Sequence, residues 1–303
     1  MFKNASVFKI KLTQHALTQT LNDAAGRALF LPCYPTQERS VGWVSPRGHE
    51  HGPLVENIGG HLIMRLMIET KTVPTQAIDD AVAAKVKKIE ETTGRKPGKK
   101  EMSELKSDAR LALLPNAFAQ RAAVFVWIDR ENGRLVLDAA GQNRVDEVAT
   151  QLIKLVDGVV IGFLTTQTSP AAAMTMWLND HDALARDFSI GRSATLKATD
   201  ESKAVVRYTR HGLDTDEVRQ HIAQGKIATK LALTYRDRVA FTLTDGGVLT
   251  GLEFLDSVFE ERADTAADSF DADVAILTGE LSRLIPDLVE EMGGEFDEEG
   301  GAA

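Results

Sequence analysis

The chain has 303 residues, 43% hydrophobic and 26% charged, with a formal net charge of −9. These are globular proportions for two domains or one elaborated domain, with enough chain to bury a core without disulfide or metal staples. A single cysteine, Cys33, excludes an intramolecular disulfide; the N-terminus lacks a signal peptide's apolar run, and no stretch approaches the roughly 18 apolar residues of a membrane span, so a cytoplasmic protein without a membrane segment is expected.

Residues 6–12, SVFKIKL, alternate as a strand does, and 13–26 reads as a helix closed by Gly26. A turn-rich stretch around SVGWVSPRGHEHGP follows. Residues 61–73 are strand-like, with Ile63, Arg65, Met67 and Glu69 on one face. The period then changes: Ile78, Val82, Val86 and Ile89 mark an amphipathic helix starting near Pro74. Met102, Leu105, Ala109 and Leu113 mark a second helix, ended by Pro115, so 74–115 is expected to be a helical hairpin with an exposed Gly/Pro loop at its tip. RAAVFVWIDRENGRLVLDAA predicts a β-hairpin turning at Asn132-Gly133, followed by a helix over 143–157 and a strand at VVIGFL.

From about residue 170, GRSATLKAT and KAVVRYTRH alternate as strands. TDEVRQHIAQGK reads as a helix with Thr215 as N-cap and Gly225 just past its end. Three meandering strands follow, with turns at Arg236–Asp237 and Asp245–Gly247, and then a helix over about 272–292. The expected class is α+β: two antiparallel-sheet halves with flanking helices and an inserted helical hairpin. The division is 1–73 with 116–168 as a central region, 74–115 as the hairpin, 169–292 as a second α+β region, and 293–303 as an acidic tail whose composition predicts disorder.

The net charge averages two unlike regions. Residues 253–303 hold sixteen Asp or Glu against two Arg, a charge of −14, which leaves +5 on the preceding residues. Lys85, Lys87, Lys88, Arg95, Lys96, Lys99 and Lys100 crowd the hairpin tip against only Glu90 and Glu91. A second group of eleven cations runs from Arg186 to Arg238, including Lys197, Arg207, Arg210, Lys226 and Lys230, against seven acids. Basic elements without a base-reading motif are what sequence-independent phosphate binding requires, although ordinary solvated charge gives the same composition.

Catalytic signals are weak. His49, Glu50, His51 and His61 are zinc-type ligands in a Gly/Pro-rich turn, but HExxH spacing is absent and exposed loop histidines are the better reading. Cys33 reads as a small buried hydrophobe rather than a nucleophile. No Walker loop, dinucleotide fingerprint or nucleophile elbow is present, so neither a catalytic constellation, a metal nor a cofactor is expected.

Six segments in order, GWVSP (42–46), GRKPGKKEMSELK (94–106), LLPNAF (113–118), VWID with NGRLVLDAA (126–140), GKIATKLALTYRDRVAFTLTDGGVL (225–249) and FDADVAILTGELSRLIPDLVEEMGGE (270–295), resemble the bacterial recombination-associated protein family RdgC. The resemblance runs over nearly the whole chain, thins over 167–222 and ends at Glu295. It implies a horseshoe-shaped subunit that closes into a ring-shaped homodimer and encircles DNA. It further implies non-specific binding of single- and double-stranded DNA, a nucleoid-associated location, and competition with RecA recombinase for DNA, without enzymatic activity. The candidate DNA-contacting residues are Lys87, Lys88, Arg207, Lys226 and Lys230, from the distribution of charge, together with Arg95, Lys96, Lys99, Lys100, Arg210 and His211, which the resemblance matches to the family's basic positions. His211 departs from the neutral amide that the family carries beside its basic residue. Phe118, ending the hairpin, corresponds to an aromatic at the contact that closes the ring. Two alternatives remain open: a metal-dependent hydrolase using His49, His51 and His61, and a protein-interaction scaffold without DNA binding.

Overall fold

The computed structural model describes residues 2–12, 18–259 and 269–296. In chain order the elements are β1 (Asn4–Lys11), α1 (Thr18–Gly26), β2 (Arg39–Val44), β3 (Val55–Ile58), β4 (His61–Lys71), α2 (Thr75–Thr93), α3 (Lys99–Leu113), β5 (Ala119–Asp129), β6 (Arg134–Leu137), α4 (Gln142–Leu155) and β7 (Val160–Phe163). They continue with α5 (Pro170–Asn179), β8 (Phe188–Ala198), β9 (Val205–Thr209), α6 (Asp216–Ala223), β10 (Lys226–Tyr235), β11 (Val239–Thr244), β12 (Leu249–Phe254), α7 (Asp256–Phe259) and α8 (Ser269–Glu291). The class is α+β, as expected, and the strand pairs with a described register are antiparallel. The chain forms two compact units, one of 1–22, 55–64 and 124–303, the other of 23–54 and 65–123.

In the first unit the strands run in the order β6-β1-β12-β11-β10-β8-β9, with β7 also paired to β1 and β3 to the start of β4. Strand β10 shows why this sheet has a dry face. Ala228, Leu231, Leu233 and Tyr235 are buried while Lys230 is exposed, the alternation being shifted once by a bulge between Ala228 and Lys230. Helix α8 covers apolar surface with Val274, Leu277, Leu281, Leu284, Ile285 and Leu288, a stripe at 3.6-residue period. Its one buried carboxylate, Glu280, accepts from Arg238 at 2.8 Å. The Thr215 side chain caps α6 by accepting from Val218 N–H, and Gly225 takes φ 87 just beyond the helix, as expected from sequence. Arg236 and Asp237 both adopt positive φ in the β10–β11 turn, where the turn was expected.

Helix α5 was not expected. Ser169 caps it, Pro170 occupies its first turn, and Ala173, Met174, Trp177 and Leu178 are buried. Its sequence, PAAAMTMWLN, has too few polar residues to display a period, so its helical face emerges only from packing. The helix expected over 13–26 is present from Thr18; 13–17 lie outside the described residues.

The second unit places β4 between β2 and β5, with the α2–α3 hairpin attached. Trp43 and Leu66 are fully buried, and Val82, Ala109 and Leu114 bury the inner side of the hairpin. Residues 28–30 run alongside β2, with Trp43 N–H donating to Ala28 O (2.9 Å) and Phe30 N–H to Trp43 O (3.0 Å). That approach needs a glycine at position 42, because a Cβ there would sit 2.4 Å from the Phe30 backbone. Gly42→Ala is therefore expected to destabilise the chain by about 2 kcal/mol, read as a lower urea midpoint at unchanged slope. An unchanged midpoint would show that the two segments separate freely.

Candidate nucleic-acid interface

The two basic regions lie in different units. In the second unit, α2 ends at Gly94, whose φ of 66 lets its N–H reach Glu90 O at 2.9 Å. A short loop then leads into α3, whose N-cap Gly98 offers no side-chain acceptor and whose first turn contains Lys99 and Lys100. Cations at a helix N-terminus face the positive end of its dipole, so this start is unfavourable for the isolated chain and relieved by an anion. Arg95 is already engaged, bonded to Glu101 through both guanidinium nitrogens at 2.7 and 3.2 Å. That bond holds the Glu101 carboxyl below the usual carboxylate range. Lys87, Lys88, Lys96, Lys99 and Lys100 are exposed and form no ion pair among the described residues. The sequence places all of these cations together; which one is neutralised emerges only from the side-chain geometry.

In the first unit, strand pairing sets a row of cations. Thr195 of β8 pairs with Arg207 of β9 on one side and Lys230 of β10 on the other. Adjacent strands lie about 4.8 Å apart, so Arg207 and Lys230 flank Thr195 on one solvent face, and both are exposed. Lys197, two residues along β8, is exposed on the same face. It stands out only once the register is known.

Arg210 and His211 occupy the turn leaving β9. Arg210 has φ 54, a left-handed conformation that costs a non-glycine residue on the order of 1 kcal/mol. The turn is braced on β8: Arg192 Nη2 donates to Arg210 O at 3.1 Å, and His211 N–H donates to Arg192 O at 3.0 Å. The His211 ring packs 5.6 Å from Tyr208 and its Nδ1 lies 2.5 Å from Gly212 O. Lys226 is tethered locally, its Nζ 3.1 Å from His221 Nδ1 and 3.3 Å from Gln224 Oε1.

Phe118 follows a 3-10 turn at Leu114–Asn116 and is 91% exposed, so in this chain it belongs to no core. Leu114, beside it, is the buried residue that holds the end of the hairpin.

Among the described residues His49, His51 and His61 converge on no metal site. His49 and His51 are exposed in the β2–β3 loop, while His61 packs its ring edge-on to Trp127 at 5.4 Å with Nδ1 4.0 Å from Asp129. Among the described residues no group of three or more His, Cys, Asp or Glu could hold a metal ion. Cys33 is half-buried rather than buried. Burial, followed by the Glu69 carboxylate, pushes its thiol up, which disfavours the thiolate.

The family described as "Putative exonuclease, RdgC" matches residues 1–295 of this chain. A protein of Herminiimonas arsenicoxydans named "Recombination-associated protein RdgC" is 40% identical over 298 residues, covering 97% of this chain and 98% of its own. Proteins of the same name from Cupriavidus necator and Bordetella pertussis are 40% and 38% identical, each covering 97% of this chain and 98% of its own length. No helix among the described residues is long and apolar enough to cross a membrane. With matches of this extent and the α+β fold on which they lie, the chain belongs to the RdgC family of recombination-associated proteins.

Proposed function

We propose that this chain binds single- and double-stranded DNA without sequence preference, as a ring-shaped homodimer of horseshoe subunits that encircles the duplex. By occupying DNA it restrains RecA-mediated recombination at the nucleoid. The observation that carries the reading is a set of exposed cations without acidic partners on a chain of net charge −9. Lys96, Lys99 and Lys100 lie at an uncapped helix start, and Arg207, Lys197 and Lys230 lie on one sheet face. Clusters that persist against the overall charge favour a polyanionic partner, and a sequence without a helix-turn-helix, zinc-finger or RRM signature favours phosphates over bases. The relatives' name supports a role in recombination. Arg210 and His211 sit in the braced turn beside the sheet, and Lys87 and Lys88 extend the hairpin's basic side. Arg95 and Lys226 contribute less, because each already has a partner. Phe118 is the anchor through which one copy meets another.

Neutralising about six phosphates makes log K fall against log[salt] with a slope near ~−5, independent of sequence. Lys99→Ala with Lys100→Ala is expected to weaken binding to every oligonucleotide alike and to flatten that slope by about 2. A slope unchanged by the double substitution, or strong discrimination against scrambled controls at fixed salt, would overturn the reading. The family description also names an exonuclease. Labelled DNA incubated with the chain and Mg²⁺ separates the two: binding alone leaves the strands full length, whereas nucleotide release places the chain among nucleases.

A further inference from the structure

Two glycines follow α8. Gly293 and Gly294 take φ 85 and 88, and the chain turns back antiparallel to the stretch leaving β7. There Gln167 N–H donates to Gly294 O (3.0 Å) and Phe296 N–H to Thr165 O (2.9 Å), with Thr166 paired to Glu295 between them. This turn carries the Glu295 side chain to β1 and β6. Its Oε2 lies 2.7 Å from Lys9 Nζ and its Oε1 2.8 Å from Arg134 Nη2, so each cation takes one oxygen. Lys9 and Arg134 are cross-strand partners, and their side chains leave the same face of the sheet. Lys11, two residues along β1 and about 7 Å away, is exposed on that face and forms no ion pair among the described residues.

The cluster has donors that Glu295 does not use. A guanidinium carries five N–H groups, and Glu295 engages only Nη2 of Arg134. Arg134 Nε and Nη1 are buried without a hydrogen-bond partner among the described residues. A carboxylate divided between two cations leaves them unanswered, whereas a tetrahedral phosphate brings further acceptor oxygens. The position also favours negative charge. Burial pushes the Glu295 carboxyl up, but the Lys9 hydrogen bond and the Arg134 charge outweigh it and hold the group below the usual carboxylate range. The two glycines allow residues 294–296 to swing away while Leu288, Val289 and Met292 stay in the core.

We propose that Lys9 and Arg134, with Lys11 beside them, form a binding site for a phosphate group, which Glu295 fills from within the same chain. Phosphate and Glu295 exclude each other, and entry of phosphate releases residues 294–296 from 165–167. The phosphate is either free or part of the DNA backbone, and only the second source rests on the function proposed above.

Inorganic pyrophosphate, titrated calorimetrically into the full chain at about 0.1 M salt, tests the site without DNA. Glu295→Gln keeps the side-chain size, removes the competing charge and is expected to bind pyrophosphate about tenfold more tightly than wild type. Glu253→Gln removes the same charge from an exposed position on β12, beyond the Asn4 end of β1. Screening at that distance is expected to hold its effect below about twofold. Adding Arg134→Met to Glu295→Gln should abolish the gain. Lys9→Met, at the more exposed of the two positions, gives the same test if Arg134→Met does not fold. Equal affinities for Glu295→Gln and Glu253→Gln, or a gain that survives loss of either cation, would overturn the proposal. Duplex DNA offered to the same variants separates the sources. Tighter DNA binding by Glu295→Gln than by Glu253→Gln, with a steeper salt dependence, assigns the site to DNA phosphates, and a gain for pyrophosphate alone assigns it to free ones. Should no form of the chain bind DNA, the function proposed above fails, while the pyrophosphate titration still decides the site.

Discussion

Phe118→Ala is expected to leave the stability of the subunit unchanged while abolishing retention on covalently closed circular DNA in high salt. Truncating a core phenylalanine costs roughly 3–5 kcal/mol of folding stability, but a side chain 91% exposed has no such burial to lose. An aromatic anchor at a subunit contact instead costs about 2 kcal/mol or more of association when truncated. A two-fold ring has two isologous contacts, so opening one leaves the dimer mass unchanged and makes mass a poor readout. Threading is sharper. A closed ring stays on a circle after its phosphate contacts are screened, whereas an opened ring falls off. The wild type must first show this trapping. A variant that traps as well as wild type would remove Phe118 from the interface, and a variant that unfolds at much lower denaturant would return it to a core.

The largest effect on folding is expected at Glu69. This carboxylate is 1% exposed and accepts two hydrogen bonds, from Arg121 Nε at 2.6 Å and from Cys33 N–H at 2.7 Å. The Arg121 guanidinium, itself 5.6 Å over the Phe30 ring, holds the carboxyl below the usual carboxylate range; the Cys33 amide adds to this and burial opposes it. Glu69→Ala strands the Cys33 N–H and is expected to cost about 3 kcal/mol, since each hydrogen bond to a charged group contributes about 1.5–3 kcal/mol. A folded-state pKa below the unfolded one stabilises fully above the ordinary carboxylate value and loses that stabilisation as pH falls through the folded pKa. The wild type should therefore lose stability on acidification more steeply than Glu69→Ala, by urea midpoints between pH 7 and 3. Parallel curves would show that Glu69 titrates alike in both states.

The chain's own order of residues determined what depends on local backbone preference. The change from strand to helix period after residue 73, the Asn132-Gly133 turn, the Thr215 cap and the positive-φ turn at Arg236–Asp237 are each carried by a few neighbouring residues, and each stands where expected. Clustering of cations at the hairpin tip and over 186–238 was legible for the same reason, because counting charge needs no fold. Only the tertiary structure decided which of those charges are already answered. Arg95 is held by Glu101 six residues away, Glu69 by Arg121 fifty-two away, and Arg207 and Lys230 meet across Thr195 through the registers of three strands. Period-two alternation says which residues share a face of one strand but not which strand lies beside it, and a slip of one residue would reverse every side chain. Helix α5 marks the same limit: its outward side carries Ala172 and Met176 rather than charged residues, so its sequence displays no polar period and its helix emerges only once Ala173, Met174, Trp177 and Leu178 have a core to enter.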